Sequence, residues 1–174
     1  MVLESSATPQ VALGPARGSA TRSAATEVPP GVVARITAWL ARQAELALAD
    51  IDVSLPQYRI LHLLGEGIAL PSSLAERLYV QRPSITAVAD GLVARRLVVR
   101  RPDPSDRRRV THSITPAGRR LLAAADRAID ERLLGVANAP GDPERAQAAI
   151  DGLRLWGPAL VAWREQRRAG AVPS

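Results

Sequence analysis

The chain contains no cysteine, no lysine and no phenylalanine, and only 3% of its 174 residues are aromatic. The absence of cysteine excludes thiol switches, disulfides and cysteine-ligated metal sites. A core without phenylalanine has to be built from leucine, valine, isoleucine and alanine, and this composition favours helices. The length predicts one domain, or one domain with a tail.

Because lysine is absent, all 23 basic residues are arginines. Guanidinium groups suit phosphate and the guanine edge, but a codon bias towards arginine and alanine produces the same composition. Position is therefore more informative than number. Of the net charge of +6, an excess of five positive charges lies between Arg95 and Arg109, where seven arginines accompany Asp103 and Asp106. The sequence predicts one localised positive surface.

Long apolar runs are also missing. The N-terminus carries Glu4 and no sustained apolar stretch, so it does not resemble a secretory signal. No later segment approaches the roughly 20 apolar residues that span a bilayer. We expect a cytoplasmic protein with no membrane partner.

Little in the sequence indicates catalysis or a metal. No nucleophile, base and orienting group cluster at a recognisable spacing, and no phosphate-cradling glycine loop occurs. His62 and Glu66 have the spacing of metal ligands on a helix, but two residues do not form a site, and His112 is the only other histidine. We expect no enzymatic activity, no cofactor and no metal site.

The segment from Gln81 to Gly118 carries the strongest functional pattern. Its first part predicts a short helix with an apolar face and a small or polar face. The apolar face comprises Ile85, Val88, Ala89 and Leu92, and the opposite face comprises Pro83, Ser84, Thr86, Ala87 and Asp90. Two β-prone runs follow, at 97–101 and 109–114, joined by a turn rich in proline and aspartate. A helix beside an arginine-tipped hairpin is the layout of a winged helix-turn-helix, in which the helix enters the major groove and the hairpin contacts phosphates or the minor groove.

Three short motifs make this pattern more specific. RPSIT begins at Arg82, DPSDRRRV at Asp103 and ITPAG at Ile114. Together they resemble the multiple antibiotic resistance regulator (MarR) family, over roughly Val32 to the C-terminus. The resemblance implies a mainly α fold with a small β-hairpin wing, a winged helix-turn-helix with long N- and C-terminal dimerisation helices. It also implies a homodimer on double-stranded DNA with a palindromic operator.

The resemblance further implies roles for individual side chains. Arg108 would reach the minor groove from the wing, Asp106 would position it, and Arg107 or Arg109 would lie near phosphates. Arg82, Ser84 and Thr86 would face the major groove. Whether Ser84 and Thr86 contact base edges or only phosphates stays open at this point.

The chain divides into a tail and one MarR-type domain. Residues 1–28 are rich in Ser, Ala, Thr and Pro and predict a disordered tail. Within 29–174, the segments 29–52 and 116–168 predict dimerisation helices, and 53–115 predicts the winged helix-turn-helix. The first helix carries two apolar stripes, which suggests burial both in its own domain and against a partner. Helix starts are expected at Ser54 with Gln57, at Pro71 with Ser73 and Glu76 as a capping pair, and at Thr115.

A small-molecule site is the remaining expectation. Without cysteine and with few histidines, reversible binding of an aromatic or amphipathic effector is the most available switch. In the family, ligands lodge between the dimerisation helices and the winged helix, a junction that Trp39, Arg42, Tyr58 and His62 would line here. The alternative is that these residues are simply packed core, the commoner role for aromatic residues in a helical protein.

These observations support two hypotheses of different class. The first is a sequence-specific DNA-binding regulator, a repressor released by an effector. The second is a winged-helix protein-interaction or architectural module without a specific operator. An enzyme is the weakest interpretation.

Overall fold

Helices separated by short connections account for most of the architecture. The structure, a computed structural model, describes residues 29–103, 106 and 109–170, with side chains to residue 167. Its elements are α1 (Val32–Ala49), α2 (Leu55–Gly65), α3 (Pro71–Leu78), α4 (Arg82–Ala94), β1 (Val98–Pro102), β2 (Val110–Ile114), α5 (Pro116–Asn138) and α6 (Pro143–Gly170). The mainly α fold with a small hairpin is therefore confirmed. The predicted tail at 1–28 lies outside the described residues.

Local capping explains where two of the helices begin. The Ser54 hydroxyl accepts from the Gln57 backbone N–H at 3.3 Å, and the Gln57 side chain accepts from the Ser54 N–H at 3.0 Å. This reciprocal capping box confirms the predicted start of α2. At α5, the Thr115 hydroxyl accepts from the Gly118 N–H at 3.0 Å.

The predicted capping pair of α3 is wrong. The helix begins at Pro71, and Leu70 occupies the capping position without a side-chain hydrogen bond. Ser73 therefore already lies inside the first turn, where its side chain no longer precedes the unpaired N–H groups that a cap satisfies. The first turn of α3 keeps those N–H groups available for another partner.

One apolar cluster joins the helix-turn-helix to the hairpin. Leu61 of α2, Leu74 of α3 and Leu92 of α4 are fully buried in it, together with Val98 of β1. A smaller cluster of Leu48, Val53 and Ala125 attaches α1 and α5. Packing in this shared apolar cluster therefore fixes the orientation of α4 relative to the hairpin.

The hairpin is antiparallel, with Val98 opposite Ile114 and Pro102 opposite Val110. Both strands begin one residue later than predicted. The His112 N–H donates to the Ala69 carbonyl at 2.8 Å, and the Thr115 N–H donates to the Leu97 carbonyl at 3.0 Å. These two bonds tie the hairpin to the connection between α2 and α3 and to the start of α5.

The outer helices carry apolar side chains that the single chain leaves uncovered. On α1 these are Val33, Ile36 and Trp39, and on α6 they are Leu153, Leu155, Trp156, Leu160, Val161 and Trp163. Within the part of the chain that the structure describes, no helix is long and apolar enough to cross a bilayer.

Candidate nucleic-acid interface

Helix α4 presents a small, polar face to solvent. Ile85, Ala89 and Leu92 are buried beneath it, whereas Ser84 and Thr86 are exposed. Pro83 in the first turn costs no hydrogen bond, because its missing N–H would have no helical partner there. The predicted division of α4 into an apolar and a polar face is confirmed.

The hydroxyl of Thr86 is already committed as a donor. It donates to the Arg82 carbonyl one turn earlier, at 3.2 Å. A hydroxyl that donates its single hydrogen to the backbone still offers lone pairs as acceptors. Thr86 is therefore suited to accept from an exocyclic amino group in the major groove, or to place its methyl group against thymine.

Two backbone hydrogen bonds join the described residues near the tip of the hairpin. The Arg109 N–H donates to the Asp106 carbonyl at 2.9 Å, and the Asp103 N–H donates to the Arg109 carbonyl at 2.9 Å. Asp106 and Arg109 are exposed. Arg107 and Arg108, predicted to contact DNA, lie outside the described residues.

A cleft brings three predicted DNA-contact residues together. It has a volume of about 390 Å³ and lies between the start of α3, the start of α4 and the start of β2. Arg82, Thr86 and Arg109 line it. Within the described part of the chain, neither Arg82 nor Arg109 forms an ion pair. The two guanidinium groups are therefore available to an external anion.

Sequence reasoning missed the contribution of α3 to this cleft. Pro71 and Ser72, in the first turn of α3, line it beside Arg82 and Arg109. The uncapped N–H groups of that turn attract anions, because a helix N-terminus carries a partial positive charge. Pro71 marked the start of the helix in the sequence, but only the fold shows that this start faces the arginines. The cleft as a whole suits a phosphate.

Two other arginines of the positive segment are engaged within the chain. Arg95 donates to the Asp52 carbonyl at 2.7 Å and pairs with the Asp52 carboxylate at 3.4 Å. Arg100 pairs with Asp90 of α4. Fewer arginines are therefore available to DNA than the sequence between Arg95 and Arg109 contains.

A second cleft lies on the side of α2 that faces α6. It has a volume of about 430 Å³, and Tyr58 and His62 line it with their ring centres 6.1 Å apart. The Tyr58 hydroxyl donates to Asp126 at 2.9 Å. Burial raises the pKa of Tyr58, and the hydrogen bond to Asp126 raises it further, so the phenol stays protonated. His62 lies 3.4 Å from Glu66.

The effector residues predicted from the sequence are only partly brought together. Neither Trp39 nor Arg42 lines the second cleft: Trp39 is 56% exposed on α1, and Arg42 pairs with Glu45 at 3.4 Å. Sequence reasoning missed the arginines that do line the cleft, which are Arg59, Arg77 and Arg164. They come from α2, α3 and α6, and no local pattern connects them. With one carboxylate, Glu66, among the lining residues, the cleft is positively charged.

Comparison with known proteins identifies similar regulators. Residues 51–109 match the family model described as MarR family. The chain is 40% identical over 96 residues to an uncharacterized HTH-type transcriptional regulator of Mycobacterium leprae (strain TN), a match covering 55% of this chain and 67% of that relative. It is 34% identical over 86 residues to the HTH-type transcriptional regulator FarR of Neisseria gonorrhoeae, covering 49% of this chain and 59% of FarR.

Solved structures share the fold at lower identity. Wild-type MarR from E. coli in its apo form matches with a TM-score of 0.65 and 20% identity, covering 73% of this chain and 95% of that one. RV1404 from Mycobacterium tuberculosis matches with a TM-score of 0.62 and 22% identity, covering 81% and 98%. A mutant of MepR from S. aureus, bound to an oligodeoxyribonucleotide, matches with a TM-score of 0.56 and 19% identity, covering 74% and 95%.

Proposed function

The chain belongs to the MarR family and is a DNA-binding transcriptional regulator, and we propose that it is a repressor that leaves its operator when a small molecule binds. The relatives it matches are transcriptional regulators, a class distinct from enzymes. A regulator with this role has to reach chromosomal DNA, and we therefore propose that the protein is located in the cytoplasm.

The cleft between α3, α4 and β2 is the observation that carries the DNA contact. Two guanidinium groups that form no ion pair with any residue the structure describes, those of Arg82 and Arg109, line this cleft together with a helix N-terminus. We assign them to phosphate contacts, which supply affinity without sequence preference. Ser84 and Thr86 on the exposed face of α4 would contact base edges. Arg108 would reach the minor groove from the wing, with Asp106 positioning it, and Arg107 would lie near phosphates.

A homodimer would complete the DNA-binding surface. The uncovered apolar side chains on α1 and α6 include two tryptophans, Trp39 and Trp156, and clustered exposed apolar residues are typical of protein–protein interaction sites. A two-fold axis through these helices would bury them and place two copies of α4 on successive half-sites of a palindrome. The structure of MepR bound to an oligodeoxyribonucleotide supports the DNA part of this proposal.

The positively charged cleft beside Tyr58 and His62 is the proposed effector site. Arg59, Arg77 and Arg164 provide donors for a carboxylate, and the aromatic rings provide an apolar wall. An aromatic acid has the matching chemistry. Trp39 and Arg42 remain candidate contacts in the dimer, where a second chain would cover α1. The ligand would have to bind a form of the dimer with misaligned α4 helices better than the DNA-bound form.

A gel-shift experiment tests the DNA-binding proposal. The purified protein is titrated onto the DNA upstream of its own gene, because such regulators often lie beside what they control, and onto a shuffled duplex of the same composition. Selective binding of the upstream DNA is the expected result. Equal, weak binding of both duplexes would instead support a protein-interaction or architectural module.

The effector proposal is tested by release of the bound DNA. Aromatic acids are screened for release from the wild type, and active compounds are repeated with Tyr58→Ala, with Arg77→Ala and with Arg145→Ala as a control on a distant part of α6. We expect the first two variants to need more compound for release, and Arg145→Ala to respond like the wild type. Equal response of all three folded variants would place the site elsewhere.

A further inference from the structure

A buried histidine lies halfway along the hairpin, where no DNA contact is assigned. His112 is 4% exposed in the middle of β2. Its Nε2 lies 3.4 Å from Arg100 Nε, the residue opposite it in the hairpin register. Its Nδ1 is buried and has no hydrogen-bond partner among the described residues. Buried polar atoms are rarely left unpaired. The contacts of this buried ring with its neighbours should therefore change when the ring gains a proton.

Arg100 connects this histidine to α4. Its guanidinium pairs with Asp90, which lies on the exposed face of α4 that also carries Ser84 and Thr86. A continuous series of polar contacts therefore runs from His112 on β2, through Arg100 on β1, to Asp90 on α4. This series links the two elements that would contact DNA, on the solvent side of their shared apolar core.

The contact between His112 and Arg100 requires a neutral ring. Arg100 Nε can only donate, so Nε2 of the histidine has to accept, and the single ring hydrogen then lies on Nδ1. Protonation places a second N–H against the Arg100 N–H and a second positive charge beside the guanidinium. Arg100 would then turn away, and its contact with Asp90 would be lost.

The surroundings of the ring favour the neutral form. Burial lowers the pKa of His112 below its ordinary value of 6.5, the charge of Arg100 lowers it further, and the Ala69 carbonyl acts in the opposite direction. The helices that pack against β2 also carry charged groups, but none of them hydrogen-bonds to the ring. These groups are Glu66 at the end of α2, Glu76 and Arg77 on α3, and Arg119 and Arg120 on α5.

We propose that His112 is a positioning residue which, through Arg100 and Asp90, holds the hairpin against α4 and makes DNA binding weaken in acid. The inference rests on the proposed function, in which hairpin and α4 contact the same duplex. A hairpin released from α4 has to be realigned on binding, and that ordering lowers affinity. A loss of DNA affinity in acid would distinguish this role from simple electrostatics, because added positive charge alone would strengthen DNA binding as the pH falls.

The stability of the protein should also fall in acid, and this can be measured without DNA. A histidine whose pKa is lowered by folding binds a proton more readily in the unfolded chain. Its contribution to stability is complete above pH 6.5 and is lost as the pH falls from 6.5 through the folded-state pKa. We expect the melting temperature of the wild type to fall more steeply over this range than that of His112→Gln, a neutral side chain that still offers Arg100 an acceptor.

NMR tests the polar contacts directly. The chain has two histidines, so the ring signals are assigned with His62→Gln. We expect the His112 ring to titrate below 6.5 and the Arg100 Nε–H signal to move with the same midpoint. A ring that titrates while the Arg100 signal stays fixed would overturn the proposal, whether or not any DNA binds.

DNA affinity supplies the functional measurement. A fluorescein-labelled duplex of the upstream region is titrated with wild type, His112→Gln and the control Arg145→Ala between about pH 5 and 8. We expect wild type and Arg145→Ala to lose about tenfold in affinity for each unit by which DNA binding lowers the ring pKa, and His112→Gln to lose less. A folded His112→Gln with the wild-type pH profile, or affinity that rises in acid, would overturn the proposal. No binding at any pH would count against the proposed function, and the NMR titration would still decide the role of His112.

Discussion

At the scale of single residues, Arg82 and Thr86 separate two ways in which a protein contacts DNA. Both line the cleft beside β2. Among the described residues Arg82 has no ion-pair partner, whereas the Thr86 hydroxyl is fixed by its bond to the Arg82 carbonyl. The charge would act on any duplex, while the fixed acceptor would distinguish bases. Substitutions at the two positions should therefore affect affinity and sequence preference separately.

Arg82→Ala should weaken binding to all duplexes and reduce its salt dependence. Removing one phosphate contact lowers the slope of log K against log salt by about one unit. Arg145→Ala is the control, because Arg145 is an exposed arginine on α6 that already pairs with Asp142 at 3.0 Å. The slopes are measured by fluorescence anisotropy over a series of salt concentrations. An unchanged slope for Arg82→Ala would remove this residue from the phosphate contacts.

Thr86→Val should change which operator is preferred, by about 1 to 3 kcal/mol at one base pair. Valine keeps the shape of threonine and removes the acceptor, and Thr86→Ser, which keeps the hydroxyl, is the matched control. Both variants are compared with wild type on duplexes that differ at single positions. A uniform loss on every duplex would make Thr86 a phosphate contact instead.

At the scale of elements, the start of α5 depends on close packing against the hairpin. A Cβ atom added at Gly118 would overlap the Leu97 carbonyl oxygen and lie 2.8 Å from Ile114 Cγ1. The same region contains the bond from the Thr115 N–H to the Leu97 carbonyl. The first turn of α5 and the two strands of the hairpin therefore meet with no room for a side chain at this position.

Gly118→Ala should accordingly destabilise the protein by about 1 to 3 kcal/mol, the usual cost of overpacking. Gly135→Ala, in the same helix, has nothing within 4 Å of the added atom and should stabilise it by about 1 kcal/mol through helix propensity. Chemical denaturation of both variants measures the difference. If Gly118→Ala is as stable as wild type, the hairpin is not packed against α5 in this way.

The same scale explains what the sequence could predict. The starts of α2 and α5 depend on capping side chains within one turn, Ser54 and Thr115. The local sequence was therefore sufficient to predict where these helices begin. The polar face of α4 follows from helical periodicity alone. The second cleft combines side chains of α2, α3 and α6, among them Tyr58 and Arg164, and no local signal in the sequence connects these helices. For the same reason the sequence places Trp39 beside Tyr58, whereas in the structure Trp39 is exposed on α1 and does not line this cleft.

At the scale of the whole molecule, the apolar side chains of α6 point to a second chain. Leu160 is 46% exposed and Trp156 is 59% exposed on this helix. We predict that the protein in solution has twice the 18.5 kDa mass of one chain, and that Leu160→Glu shifts it towards monomer. A carboxylate placed in an apolar interface loses its hydration without gaining a partner, which opposes association. Light scattering coupled to size-exclusion chromatography measures the mass.

The matched control for this prediction is Gln166→Glu, which adds the same charge on the same helix at an exposed polar position. It should remain dimeric and bind DNA like the wild type. Leu160→Glu should lose affinity for a two-half-site duplex more than for a single half-site, because only the dimer places two α4 helices on one duplex. A monomeric wild type that binds the full operator, or a Leu160→Glu variant that stays dimeric, would exclude this face of α6 from the interface.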